Sequence, residues 1–281
     1  MKAALPVVAA LALLACLLPF LLLSAYNHPS TDDYCQCIRV HDAPARGETR
    51  LEALTARARR TYRTWGGRYV THVAHALCPI AFDRWDWYRL SSVAICLLFL
   101  AALFFLARTA NRFLLHAPAG TLFAGAAGLA IVSFARLPAA ADGFFWHSGY
   151  MAHTFPLVTS LFLCAALIRF FRAETGRGRI ASFLLLLLCL FLSVGGDEMA
   201  MTITLFLAAS VFLIARWEGR VGNGYLAVLL AVAAGSAALE ILAPGNAAMI
   251  ATAGCASVDR SLLPVLSRAI RLAADRTSSW I

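Results

Sequence analysis

Charge is what this sequence has least of. Asp, Glu, Lys and Arg make up 14% of its 281 residues, against about 25% in a soluble domain, so the chain has too little polar surface to coat itself against water. Lysine is nearly missing. Lys2 is the only one among 24 basic residues, and without lysine there is no Gly-x-x-x-x-Gly-Lys phosphate loop. No Gly-x-Ser-x-Gly elbow and no Cys-x-x-Cys pair occurs. These absences set aside an ATP-driven pump, an elbow-type serine hydrolase and a zinc or thioredoxin-type centre.

Apolar residues dominate instead. They form 61% of the chain and fall in runs long enough to cross a hydrocarbon core about 30 Å thick. In lipid, only helices and closed barrels satisfy their own backbone. The runs are continuous Leu/Ala/Phe stretches without inside–outside alternation, which excludes a barrel. The sequence therefore predicts an all-α polytopic membrane protein, a single membrane domain over 1–281. About seven spans are expected, at 5–25, 90–106, 121–134, 154–171, 180–194, 199–215 and 225–242. The first reads as a retained signal anchor, because its apolar stretch continues past Cys16 and leaves no cleavage or lipidation signal. Several runs are short, so their ends should draw on aromatic residues at the interface. Gly120, Ala124 and Gly128 share one helical face and predict close helix packing there.

The formal charge of +9 does not indicate nucleic acid. The arginines lie between apolar runs, where they report orientation. Arg108, Arg112, Arg169, Arg172, Arg177, Arg179, Arg216 and Arg220 fall on one side, and only Arg136 occupies the short loops opposite. The arginine-rich side is expected to be cytoplasmic. The long first loop, 26–89, and the segment 243–281 are then expected to lie outside the cytoplasm. Two stretches read as amphipathic helices along the membrane. In 46–65 the apolar face is Leu51, Leu54, Ala58, Tyr62 and Trp65; in 261–276 it is Leu262, Leu266, Ile270 and Ala273, with Arg268 and Arg271 beside it. Cys35, Cys37, Cys78 and Cys255 face the oxidising side, where disulfides form; the sequence leaves their pairing open.

Polar residues of uncommon type gather at the same ends of the spans. Asp32-Asp33 follows the first span directly; adjacent carboxylates suit a general base, an oxygen-ligand cation site or a helix cap. Trp65-Gly66-Gly67-Arg68-Tyr69 combines glycines that admit close approach with a guanidinium suited to phosphate, or anchors an interface with its aromatics. His147 and His153 sit in an aromatic stretch as metal ligands, proton carriers or hydrogen-bonded structural groups. Gly195-Gly196-Asp197-Glu198 puts two acids between apolar runs, a placement that reads as functional by default; the other reading is a tight hairpin with solvated acids. Pro244-Gly245-Asn246 ends the last span, with Asn246 as a cap.

The order of these strings resembles the GT-C superfamily, integral-membrane glycosyltransferases that use polyprenyl-phosphate-linked sugars. Asp32-Asp33-Tyr34, Trp65-x-Gly67-Arg68-Tyr69, Glu198 after its glycine turn and Pro244-Gly245-Asn246 are similar to a bacterial family, domain of unknown function 6056, over 25–246. The resemblance implies that Asp32 or Asp33 is the base for an acceptor hydroxyl. It implies that Glu198 and, less directly, Asp197 hold a divalent cation, and that Arg68, with Arg268 or Arg271, grips donor phosphate; Trp65, Tyr69, His147, His153 and Asn246 are the further candidates for binding substrate or phosphate. Members of that family continue with more spans, so the end at Ile281 implies a truncated module. The expected function is transfer of a sugar from a polyprenyl-phosphate donor on the extracytoplasmic face, with membrane lipid and no nucleic acid as partner. A transporter or flippase of lipid-linked or polar solute, using Asp197 and Glu198, and a non-catalytic assembly subunit are the alternatives.

Overall fold

The computed structural model describes residues 4–137, 139–219 and 222–252. The C-terminal amphipathic stretch, with Cys255, Arg268 and Arg271, lies outside the described residues. In chain order the helices are α1 (Ala4–Ser24), α2 (Thr31–His41), α3 (Arg50–Thr64), α4 (Tyr69–Ala76), α5 (Trp85–Ala110), α6 (Ala119–Ala135), α7 (His147–Ala152), α8 (Thr154–Arg172), α9 (Gly176–Val194), α10 (Glu198–Glu218), α11 (Asn223–Ile241) and α12 (Pro244–Thr252). There is no strand among the described residues.

Local chemistry sets several boundaries. Thr49 and Glu52 open α3 with a reciprocal capping box: Glu52 N–H donates to the Thr49 hydroxyl at 3.2 Å, and Thr49 N–H donates to the Glu52 carboxylate at 2.8 Å. Thr175 opens α9 by accepting from Gly178 N–H at 3.1 Å. Gly219, at φ 63°, stops α10 in the left-handed region that favours glycine.

Six helical stretches are long and apolar enough to cross a membrane: Ala4–Ser24, Trp85–Leu115, His147–Arg172, Gly176–Val194, Glu198–Glu218 and Asn223–Ala251. The remaining expected span, 121–134, is α6, a shorter apolar helix of 17 residues. Most of these helices overrun the apolar runs that announced them. α5, for example, begins at Trp85 and continues through a π turn at Asn111–Leu115.

The centre of the bundle is α8, packed between α9 and α5. Leu163, Leu167 and Phe170 of α8 meet Leu186 and Leu190 of α9 and Leu229 of α11. On its other side Val158 meets Ile95 and Phe99 of α5 and Phe134 of α6. Phe20 of α1 stacks on Phe145 and sets its edge to Phe134. The outer faces stay apolar and uncovered, with Leu11, Phe206 and Trp217 exposed, as a lipid-facing surface requires. α6 packs closely along α1. Of the two glycines in its small-residue stripe, Gly120 meets Pro6 of α1, whereas a Cβ at Gly128 would stand in open space. Its fully buried residues are Ala126, Ala127, Ala130 and Phe134.

Residues 26–89 do not form an open loop. α2, α3, α4 and the 3₁₀ turn Pro79–Phe82 build a small helical layer around Cys37, Val40, Ala53, Ala76, Cys78, Ile80 and Tyr88. The amphipathic helix expected over 46–65 is α3, but it docks on α2 and α4 with Ala53 and Thr61 buried, leaving Leu51 and Trp65 exposed. The layer core takes the face next to the expected stripe, so α3 does not lie flat by itself. α5 runs from Tyr88, inside this layer, to Arg112 at the far end. There Arg112, Arg169 and Arg172 line one cleft of about 180 Å³, so arginines from separate loops do share an end of the bundle.

Candidate functional site

The five singled-out strings converge at the layer end. Gly67 packs so tightly on α11 that a Cβ there would overlap the Glu240 carbonyl, and a Cβ at Gly245 would overlap the Tyr62–Gly66 backbone. Asn246 closes this junction. Its carbonyl accepts from Gly67 N–H at 3.1 Å, and its amide donates to the Glu240 and Ile241 carbonyls at 2.7 and 3.1 Å. It is a cap, as expected, and it is also the clamp joining the Trp65–Tyr69 string to the Pro244–Asn246 string. Tyr62 adds a bond from its hydroxyl to the Leu239 carbonyl at 2.7 Å. The glycine turn before α10 is clamped from the same side: Val70 N–H donates to Gly195 O at 2.9 Å and the Thr71 hydroxyl to Gly196 O at 2.6 Å. Tyr69 donates its hydroxyl to Phe191 O at 3.0 Å and stacks at a tilt on the Phe191 ring. Burial pushes its phenol up to about 12.

The two first-loop acids part company. Asp33 is wholly buried and accepts from the Tyr88 hydroxyl (2.6 Å), the Ser148 N–H (2.9 Å), the Ser148 hydroxyl (2.8 Å) and the Ser30 N–H (3.1 Å). It ties α2 to α5 and α7. Asp32, on the same turn, stands exposed. His147 is buried behind Asp33, sharing a 2.6 Å hydrogen bond with the Tyr150 hydroxyl and placing Nε2 3.2 Å from the Ala74 carbonyl. Two α4 histidines to which the sequence drew no attention complete the seam. His72 donates Nε2–H to Gly66 O and His75 donates Nε2–H to Ser148 O, each at 2.9 Å. Burial holds both imidazoles down to about 4, so they are neutral structural donors.

The charged groups collect beside the clamp. Arg68, three-quarters covered, places Nε 3.5 Å from a Glu198 carboxylate oxygen, and that buried Nε has no acceptor in hydrogen-bond geometry. His153 Nδ1 lies 3.8 Å from an Asp197 oxygen, an ion-pair distance beyond that of a hydrogen bond, and the facing imidazole holds the Asp197 carboxyl below the usual range. Behind them is Glu240 on α11, 2% exposed, with both carboxylate oxygens buried and unpartnered. The signal for Glu240 was in the sequence: no other Asp or Glu lies within the seven expected runs, and an acid at such depth marks a functional position. Trp65 ends α3 and is exposed. Among the described residues no group of three or more His, Cys, Asp or Glu side chains is arranged to hold a metal ion.

The fold and this polar end define the class: an all-α integral membrane protein with a charged, partly unsatisfied cluster at the end of the bundle where residues 26–89 pack. No family model, curated protein or solved structure matches the chain.

Proposed function

We propose that this protein is a membrane glycosyltransferase that moves a sugar from a polyprenyl-phosphate donor to an acceptor on the extracytoplasmic face. The observation that carries it is the gathering of Arg68, Asp197, Glu198 and Glu240 from three separate segments, with the Arg68 Nε and the Glu240 carboxyl left unpartnered. A phosphate-linked sugar brings its own leaving group. The protein then needs a cation for the developing phosphate charge, a base for the acceptor hydroxyl, and positioning. Arg68 supplies the first through its planar fork. Asp32 supplies the second, since Asp33 has its lone pairs filled. Asp197 and Glu198 would hold a divalent cation if one takes part. An apolar cleft of about 200 Å³ lined by Phe99, Leu103, Phe134, Leu157 and Leu161 borders Thr154, next to His153, and offers room for part of a lipid chain.

The test is sugar transfer by purified protein from a polyprenyl-phosphate donor. Arg68→Ala should lower the rate by about a hundredfold, the scale seen when one charge-stabilising donor is removed, and Asp32→Asn should abolish acceptor activation. Full activity in Asp32→Asn, in Asp33→Asn and in the double variant removes these acids as base. A second reading, a proton-linked transporter of lipid-linked or polar solute, is favoured by Glu240, a carboxyl inside a span. Uptake driven by a pH gradient and lost in Glu240→Gln, with no transfer by the wild type, selects that reading.

A further inference from the structure

Eight cysteines leave many possible pairings, and the fold narrows them. Cys16, Cys96, Cys164 and Cys189 sit on the long apolar helices α1, α5, α8 and α9. Cys35 is exposed on α2. Cys37 and Cys78 are different: they are 2% and 0% exposed and belong to one small core, with Val40, Ala76 and Ile80 around them. Cys37 lies on the inner face of α2, and Cys78 caps the 3₁₀ turn Pro79–Phe82 against which α2 packs. Both are free thiols in this structure, the Cys37 thiol donating to the Tyr34 carbonyl at 3.8 Å; each is the largest influence on the other's ionisation, Cys78 lowering Cys37 and Cys37 raising Cys78, as neighbouring sulfurs do.

We infer that Cys37 and Cys78 are joined by a disulfide in the mature protein. With the arginine-rich loops cytoplasmic, the 26–89 layer faces a compartment where disulfides persist. The oxidant is the disulfide of a thiol–disulfide oxidase. The Cys37 thiolate attacks it, giving a mixed disulfide and releasing one oxidase thiolate. The Cys78 thiolate then attacks the Cys37 sulfur and releases the other. Two protons and two electrons leave the pair, and the oxidase disulfide becomes a dithiol. Both sulfurs are sealed once the layer packs, so exchange takes place while the layer is still folding. The chain enclosed between them carries α3, the Gly66-Gly67-Arg68 turn and α4. The bond thus restrains in the unfolded chain the part that presents Arg68. It does not depend on the sugar-transfer reading.

The test uses full-length protein expressed in a bacterial inner membrane. Cells are lysed directly into denaturant with one alkylating reagent, then reduced and treated with a second of different mass, and the peptides are read by mass spectrometry. Cys37 and Cys78 should carry the second label, and Cys35, Cys96 and Cys189 the first. In Cys37→Ser, Cys78 should move to the first label; because labelling follows denaturation, this holds whether or not the variant folds. First label on Cys37 and Cys78 in the wild type, or either of them crosslinked to Cys35 or Cys255, overturns the inference.

Discussion

Asp33 and Glu240 are both buried, 0% and 2% exposed, yet their surroundings differ completely. Asp33 receives four hydrogen bonds from three segments, which fill its lone pairs. Glu240 receives none, while Arg68, Asp197 and Glu198 stand nearby as the charged groups that act on it. A buried carboxyl with every partner supplied by the chain works as a joint. One left without partners is a cost the fold carries, and such costs collect at functional positions. The pair of acids that looked most like a catalytic base therefore contributes one structural residue, Asp33, and one exposed candidate, Asp32. An acid hidden in a span takes the place of interest.

The comparison can be broken first at Asp33. Asp33→Ala strands both Ser148 donors in a dry layer and leaves the Tyr88 hydroxyl only the Phe145 carbonyl at 3.4 Å, and should lower stability by about 3–5 kcal/mol. Thermal unfolding in detergent reads this, and a wild-type midpoint would end the joint assignment. Glu240→Met should act in the opposite direction. Replacing an unpartnered acid by an apolar side chain of similar length should raise stability by about 1–4 kcal/mol, while sugar transfer falls; a lower midpoint would mean that Glu240 has a structural partner. Asn246→Ala removes the three clamp bonds and should cost about 1–3 kcal/mol, with Arg68-dependent transfer falling alongside.

The smallest expected effect is on pH dependence. His72 and His75 are held down to about 4 in the folded protein, below their ordinary value of about 6.5. The unfolded chain then binds the extra protons, so their contribution is intact above pH about 6.5 and erodes as pH falls toward about 4. The slope is at most about 1.4 kcal/mol per pH unit for each histidine. Unfolding midpoints between these limits should flatten in His72→Gln; an unchanged slope would mean that His72 charges without cost.

The legible part of this protein is the part encoded by local hydropathy. The apolar runs mark six helices of spanning length and the shorter α6, and the Thr49–Glu52 pair marks the start of α3. The strings around Gly67, Gly195 and Asn246 were also visible, because glycine beside charge is conspicuous in so apolar a chain. Their mutual clamping was not, since Asn246 reaches Gly67 across most of the sequence. The face of α3 was read only in part for a related reason: Leu54 of the expected stripe does pack on the layer core, but the buried positions are Ala53 and Thr61, chosen by what packs against them, and spacing alone cannot rank two adjacent stripes.

The pattern of the apolar runs by itself determined that the chain is helical and membrane-embedded, because a backbone in lipid has to satisfy its own hydrogen bonds and continuous runs without alternation leave only the helix to do so. Tertiary structure alone decided which acid is tied and which is left bare, and which cysteine faces which. Burial and partnership are properties of atoms brought together from distant positions, and no run of neighbouring residues specifies them.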